Sequence, residues 1–252
     1  MALFLVCAWG EGLSVAGVRL LGVIGYPIGH SLSPAMQRAA IEAAGLPYRY
    51  TAMKVPPEQL AETVSSLKSA SFRGFNVTIP HKTAVMPLLD EIQEDARRIG
   101  AVNTVVQEQG RLIGYNTDAA GFVEGLRSAG ETAAHKNVVL LGAGGAARAV
   151  LWALIKEGAK KILLGVRNVE NARAVLRDFS FADHVAAVPW TGELFRAGLT
   201  EADLVVNATP LGMTPHTAAM PPVDWAALKA HAFLYDIIYT PERTRFLQEG
   251  EA

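Results

Sequence analysis

Val138-Val139-Leu140-Leu141 runs directly into Gly142-Ala143-Gly144-Gly145-Ala146-Ala147-Arg148, and no other stretch limits the fold so strongly. Aliphatic residues in a row, without polar alternation, describe a strand covered on both faces, as in the interior of a parallel sheet. The glycines that follow let the chain turn sharply into a helix. Gly142, Gly144 and Ala147 stand at the spacing of a dinucleotide-binding turn. There the first glycine permits the turn, the second admits backbone to a pyrophosphate, and the third, small residue lets helix and strand pack closely. N–H groups at the helix start would face phosphate with the positive end of the helix dipole. Glycine-rich turns also arise for packing alone, so this fingerprint by itself leaves both readings open. Further apolar runs follow at Lys161–Leu164, Ala202–Asn207 and Ala232–Ile238, separated by helical stretches, which is the pattern of a doubly wound sheet.

Half of the 252 residues are hydrophobic and the mean hydropathy is +0.21, enough for a substantial core in one large or two modest domains. With 23 basic and 24 acidic residues the formal charge is -1, so no global field draws the chain to nucleic acid or an anionic membrane, and small-molecule partners are expected. The single Cys7 excludes an intramolecular disulfide and a cysteine-rich metal site, which suits a reducing, cytoplasmic compartment. Residues 1–17 are apolar around Leu3–Trp9 but too short to span a bilayer and without a basic lead, so they are expected to form a poorly ordered leader.

From Val18 the front half alternates strand and helix. A strand ends at Gly25, and Ser33-Pro34 predicts an N-cap with proline at the first helical position of a helix running through Glu42. Tyr48 to Val55 reads as a strand, Pro56-Pro57 opens a helix to about Lys68, and Gly74–Ile79 is a third strand stopped by Pro80. Ala101–Gln107 and Arg111–Tyr115 predict a hairpin around Glu108-Gln109-Gly110, and Ala119–Ser128 a helix leading to the glycine-rich strand. The fold class is therefore α/β with two α/β lobes, divided near Asp118: substrate-binding over 18–118, nucleotide-binding over 119–240, and a short tail over 241–252.

Polar residues collect where a core would not put them. Ser31 and Ser33 follow a strand at alternate positions and can both point to an anionic group, although helix capping explains them as well. Asn76 and Thr78 share one side of a strand, with His81 and Lys82 beyond its end, where α/β ligands sit. Taken alone, Lys82 fits a solvated surface charge, and Asp118 fits an N-cap.

Their combination resembles a known family. Gly29-His30-Ser31-Leu32-Ser33-Pro34, Asn76-Val77-Thr78-Ile79-Pro80-His81-Lys82, Gly100-Ala101-Val102-Asn103-Thr104, Gly114-Tyr115-Asn116-Thr117-Asp118, the Gly142–Arg148 turn and Asn207-Ala208-Thr209-Pro210-Leu211-Gly212-Met213 stand in the order found in shikimate dehydrogenases. The resemblance implies an N-terminal substrate lobe, a C-terminal Rossmann-type lobe, and NADP-dependent reduction of 3-dehydroshikimate to shikimate on the route to aromatic amino acids. By the same resemblance Lys82 and Asp118 are the catalytic pair, and Ser31 and Ser33 hold the substrate carboxylate. Asn76, Thr78 and Asn103 contact ring hydroxyls, and Tyr239 lies near the substrate. Gly142, Ala143, Gly144, Gly145, Ala146, Arg167, Asn168, Asn207, Thr209, Met213 and Ile237 meet the cofactor.

The chemistry agrees independently: reducing a ketone needs a proton for the developing alkoxide, so an acid/base group must stand at the carbonyl. No metal is required. Gly165-Val166-Arg167-Asn168 carries no acid at the strand tip where NAD binders place one, and Arg167 suits a forked contact to the 2′-phosphate of NADP. Against the family's Asn-Arg-Thr pattern, Val166, Asn168 and Asn171 depart, and Arg173 either compensates or is an exposed helix residue. The family's Gly-Met-Leu-x-x-Gln motif, expected after Phe246-Leu247, is absent before Ala252. An uncovered apolar face on the front lobe and weak substrate handling are then expected, at several kcal/mol for a helix face at about 25 cal/mol per Å2. A quinate/shikimate dehydrogenase and a catalytically silent nucleotide-binding paralogue are the alternatives. A homodimer is compatible with the sequence, which does not specify the oligomeric state.

Overall fold

A computed structural model describes residues 19–69, 72–179 and 184–251, so the expected leader over 1–17 and Cys7 lie outside the described residues. The chain divides into two compact units, one ending at Asp118 and the other beginning at Ala119.

In the first unit, β1 (Arg19–Gly25), α1 (Ser33–Ala43), β2 (Tyr48–Lys54), α2 (Leu60–Ser69) and β3 (Phe72–Val77) follow one another, with a 3-10 turn at Pro57–Gln59. Then come β4 (Glu91–Ile92), α3 (Glu94–Ile99), β5 (Thr104–Glu108), β6 (Arg111–Tyr115) and the start of α4 (Asp118–Ser128). The sheet order is β2-β1-β3-β5-β6-β4. β1 is parallel to β2 and β3, β5 is antiparallel to both β3 and β6, and β4 is parallel to β6. Period-two alternation sends Ile24, Phe75, Val77, Val105 and Leu112 to one face, against Val64, Leu67 and Val85. Leu21, Val23 and Tyr50 face the other side, with Ile41 of α1. The β5–β6 hairpin turns at Gln109 (φ 48°) and Gly110 (φ 75°), two left-handed residues whose twist matches that of the strands.

Several boundaries differ from the expected ones by one to three residues, two of them at the site end of the sheet. β3 ends at Val77 rather than Ile79, because its ladder to β5 stops at Asn76↔Thr104. β5 starts at Thr104 rather than Ala101, because Val102 N–H goes to Lys82 O (2.7 Å) and Asn103 N–H to Tyr115 O (3.0 Å). The short β4 and α3 were not anticipated. Tyr26, Leu32, Met36 and Ile79 are this unit's exposed large apolar side chains among the described residues.

The second unit comprises the rest of α4, then β7 (Asn137–Leu141), α5 (Gly145–Lys156), β8 (Lys161–Val166), α6 (Val169–Asp178), β9 (Val185–Pro189) and α7 (Glu193–Glu201). β10 (Leu204–Asn207), a 3-10 turn at Trp225–Ala227, β11 (Phe233–Asp236) and α8 (Arg245–Gly250) complete it. Its sheet is wholly parallel, in the order β11-β10-β7-β8-β9. β7 is covered on both faces as its sequence requires: Val138 and Leu140 join one core cluster, Val139 and Leu141 the other. The strand order reverses beside β7, the place where open α/β sheets bind ligands. The 241–252 tail packs on this unit: Phe246 of α8 is fully buried, its ring 5.6 Å from that of Trp225. No helix among the described residues is long and apolar enough to cross a membrane.

Candidate active site

Because β5 is antiparallel, its start lies at the same sheet edge as the ends of β1, β3 and β6. Backbone hydrogen bonds tie the segments at that edge together: Tyr26 N–H to Ile79 O (2.9 Å), Thr78 N–H to Ile24 O (3.0 Å) and Val77 N–H to Asn103 O (2.8 Å). Lys82 is fixed there through its own carbonyl, which accepts from Val102.

Lys82 Nζ lies 2.5 Å from Asp118 Oδ2, and the two side chains are only 16% and 15% exposed. Asp118 Oδ1 accepts from Asn103 Nδ2 at 2.7 Å. The orientation of the Asn103 amide follows from its other contacts. Its Oδ1 accepts the Thr117 backbone N–H (3.0 Å) and the Thr104 hydroxyl (3.0 Å), and a backbone N–H can only donate. Asn76 is oriented the same way: its Nδ2 donates to Asn103 O (3.3 Å) and Thr104 Oγ1 (3.1 Å), so its Oδ1 accepts from Tyr50 OH (2.6 Å). Burial pushes the Tyr50 phenol above its ordinary value.

Asp118 is not used as a helix cap. Asn116 Oδ1 accepts the Asp118 N–H at 3.0 Å, which leaves both Asp118 oxygens to Lys82 and Asn103. Ser33 is likewise the first residue of α1 and not its cap; Ser31 Oγ accepts the Ser33 N–H at 3.3 Å. The Ser33 and Thr78 hydroxyls make no side-chain hydrogen bond among the described residues. Both N–H groups of the Asn76 and Asn103 amides donate within the protein. Tyr50, Thr104 and Thr117 were missed as members of this network, since a tyrosine or threonine in a strand pattern reads as β-propensity alone.

In the second unit Gly142 takes φ 107°, and a Cβ there would stand 3.1 Å from both Ala208 O and Thr209 Cγ2. At Gly144 a Cβ would meet no atom within 4 Å, so the backbone is open to an approaching group. α5 begins at Gly145 without a side-chain cap, leaving its first N–H groups available to an anion. Ala143 and Ala146 are half-buried, and Ala147 is buried against β7 and its neighbours. Beyond β8, Arg167 and Asn168 are exposed. Asn168 Oδ1 caps α6 by accepting the Asn171 N–H (3.0 Å), and Arg173 pairs with Glu170 (2.7 Å) as an exposed helix residue. The turn therefore leaves space and unpaired N–H groups for an anionic group such as a pyrophosphate.

Asn207 is fully buried and directed inward. Its Nδ2 donates to Leu211 O (3.3 Å) and Asp236 Oδ2 (3.1 Å), and its Oδ1 accepts Thr209 N–H (3.0 Å) and Oγ1–H (2.7 Å). Asp236 also accepts from Thr244 Oγ1 (2.7 Å) and Ile238 N–H (2.9 Å); burial holds its carboxyl above the usual range, with these donors opposing. Asp236 and Thr244 were not singled out beforehand, although an acid inside an apolar run is a signal that it has partners. Ile237 N–H goes to Asn207 O (3.1 Å), and Met213 and Tyr239 are exposed by 40% and 61%.

Comparison with known proteins agrees with this arrangement. Residues 23–105 match the shikimate dehydrogenase substrate binding domain, and residues 125–216 match the shikimate / quinate 5-dehydrogenase family. A shikimate dehydrogenase (NADP(+)) of Symbiobacterium thermophilum is 46% identical over 236 residues, covering 92% of this chain and 80% of that one. A solved shikimate dehydrogenase in complex with NADP+ superposes with a TM-score of 0.84 at 39% identity, over 93% of this chain and 81% of that one. The shikimate 5-dehydrogenase of Thermus thermophilus in complex with NADP(H) and shikimate gives 0.82 at 39% identity, over 92% and 84%. On family match, identity and coverage together, the chain belongs to the shikimate dehydrogenase family.

Proposed function

We propose that the chain catalyses the reversible, NADP-dependent reduction of 3-dehydroshikimate to shikimate, a step of aromatic amino acid biosynthesis. The observation that carries this reading is the shielded Lys82–Asp118 pair, 2.5 Å apart, at the edge where β1, β3 and β6 end and β5 begins. NADP, when bound, supplies the hydride for the carbonyl carbon. Lys82 delivers the proton to the carbonyl oxygen and recovers it in the reverse direction. Asp118 holds the ammonium through Oδ2 and takes a substrate hydroxyl. Ser31 and Ser33 bind the substrate carboxylate and Thr78 a ring hydroxyl, and Tyr239 matches the tyrosine that the family places near its substrate. Asn76 and Asn103, whose amide protons are engaged within the protein, act mainly by holding the others in place.

Residues 18–118 form the substrate domain in this reading, and residues 119–240 the NADP domain. Gly142, Ala143, Gly144, Gly145 and Ala146 cradle the pyrophosphate, and Arg167 meets the 2′-phosphate beside the Asn168-capped helix. Asn207 and Thr209 shape the loop that carries Met213, while Met213 and Ile237 offer apolar contact to the cofactor. A cytoplasmic enzyme, able to pair as a homodimer, completes the reading; the near-zero net charge and lone cysteine support that location.

The test follows nicotinamide absorbance with 3-dehydroshikimate, shikimate or quinate, each with NADP or NAD, for the protein and for Lys82→Ala. Turnover of shikimate with NADP that Lys82→Ala abolishes is expected. Faster turnover of quinate with NAD would replace the assignment by a quinate dehydrogenase, and NADP binding without any turnover by a silent paralogue.

A further inference from the structure

Tyr50 sits on β2, two strands away from Asn76, with its ring in the small core of Leu21, Val23, Ile28 and Ile41 and only 5% exposed. It touches neither Lys82 nor Asp118. An unbroken hydrogen-bond chain nevertheless connects it to them. The phenol donates to Asn76 Oδ1 (2.6 Å), Asn76 Nδ2 to Thr104 Oγ1 (3.1 Å), the Thr104 hydroxyl to Asn103 Oδ1 (3.0 Å), and Asn103 Nδ2 to Asp118 Oδ1 (2.7 Å).

Every link has one allowed direction. The Thr117 N–H and the Asn103 carbonyl, each able to act in only one sense, fix the two amides. The Thr104 hydroxyl accepts from Asn76, so its single proton goes to Asn103. The Asn76 oxygen is left for a donor, and the phenol is the donor that faces it. A chain polarised along one sense reinforces itself, and removing a member weakens the hold on the next amide.

We propose that Tyr50 is a positioning residue of the active site: its buried hydroxyl reinforces the Asn76 orientation that, through Thr104 and Asn103, strengthens the donor on Asp118 and so steadies Asp118 against Lys82. The proposal rests on the reading of Lys82 and Asp118 as the catalytic pair. The ring supplies packing and the hydroxyl supplies direction, so the two are separable by substitution.

The experiment compares Tyr50→Phe, Thr104→Val, Thr104→Ser and the Tyr50→Phe/Thr104→Val double variant with the unaltered protein. It measures kcat and KM for 3-dehydroshikimate and NADPH, and the Asn103 side-chain amide signals by NMR without ligand. Tyr50→Phe is expected to lower kcat about tenfold with an unchanged KM for NADPH, the effect of losing one buried hydrogen bond in the chain that ends on the reacting pair. Thr104→Val should do the same, Thr104→Ser should restore the rate, and the double variant should lose about tenfold rather than a hundredfold, because the changes break one chain. The Asn103 amide signals should shift in Tyr50→Phe. If Tyr50→Phe fails to fold, the Thr104 pair reads the same chain one link further on. An unchanged kcat, multiplicative losses in the double variant, or Asn103 signals that ignore Tyr50→Phe would overturn the proposal. If the unaltered protein turns over no shikimate while the Asn103 signals still respond, the assigned reaction falls and the chain of orientation stands.

Discussion

Asn103 presents its Nδ2 to Asp118 Oδ1 at 2.7 Å because its Oδ1 is held by the Thr117 backbone N–H at 3.0 Å. Asp118 is thus gripped from both sides, by a neutral amide on one oxygen and by the Lys82 ammonium on the other. Asn103→Ala should remove the first grip and leave the Thr117 N–H and a nearly buried carboxylate short of a partner. A stability loss of about 1–3 kcal/mol is expected from the groups left unpaired. Urea unfolding measures that, and a fall in kcat larger than any rise in NADPH KM should accompany it.

Lys82→Ala removes the proposed proton donor while leaving the nucleotide residues untouched. A loss of about a hundredfold to ten-thousandfold in kcat is expected from general acid/base catalysis. NADPH affinity, read by fluorescence titration, should stay within about twofold, since uniform binding is not affected. A near-normal kcat would remove Lys82 from the mechanism.

Gly142 and Gly144 should respond differently to a side chain. Gly142 has φ 107° and crowds Ala208 and Thr209, so Gly142→Ala should destabilise the protein by about 1–3 kcal/mol through strain. Gly144 has φ -79° and open space around it, so Gly144→Val should leave the melting temperature nearly unchanged. Its expected effect is on the cofactor: a branched side chain there blocks backbone approach to the pyrophosphate and should raise the NADPH KM at least about tenfold. Equal NADPH KM in Gly144→Val and the unaltered protein would place the pyrophosphate elsewhere.

Arg167 and Asn168 are neighbours with separable tasks. Arg167→Ala should raise the KM for NADP about tenfold and leave that for NAD unchanged, because only NADP carries the 2′-phosphate. Asn168→Ala should instead cost about 1 kcal/mol of stability through the lost α6 cap. Steady-state kinetics with both nucleotides, alongside thermal melts, separates the two.

Asp236 gives a pH dependence whose sign can be worked out. Burial raises its folded-state value above 3.8, so the folded protein holds this proton more tightly than the unfolded chain. Its contribution to stability is therefore largest below the unfolded value and falls as pH rises through the raised folded one. Asp90, held low by the Leu112 N–H and Lys68, and Asp203, held low by Lys229 and the Asn137 N–H, act in the opposite sense. Subtracting the melting curve of Asp236→Asn from that of the unaltered protein, from about pH 3.5 upward, removes those shared terms. The difference should move steadily against the unaltered protein as pH rises, and a flat difference would refute the assignment.

What could be read from the chain alone was whatever depends on neighbours in sequence. The doubly covered β7, the glycine turn into α5, the hairpin at Gln109-Gly110 and the strand–helix alternation follow from periodicity and backbone freedom, which are local properties. Lys82 and Asp118 stand out only through the resemblance of the combined motifs to a known family, since each by itself fits a surface charge or a helix cap. Which way each side chain faces was settled by tertiary contacts. Asn76 and Asn103 look like outward ligands in sequence, yet the antiparallel entry of β5 brings their amides against Tyr50, Thr104 and Thr117, and a buried amide must take whatever partners surround it. Asp118 and Ser33 look like helix caps, yet each is the first residue of its helix, and its N–H is taken by the side chain two residues earlier, Asn116 or Ser31. Asn207 and Asp236 join only because β10 and β11 pair in register, Asn207↔Asp236, and no local pattern encodes which residues two separate strands will set side by side.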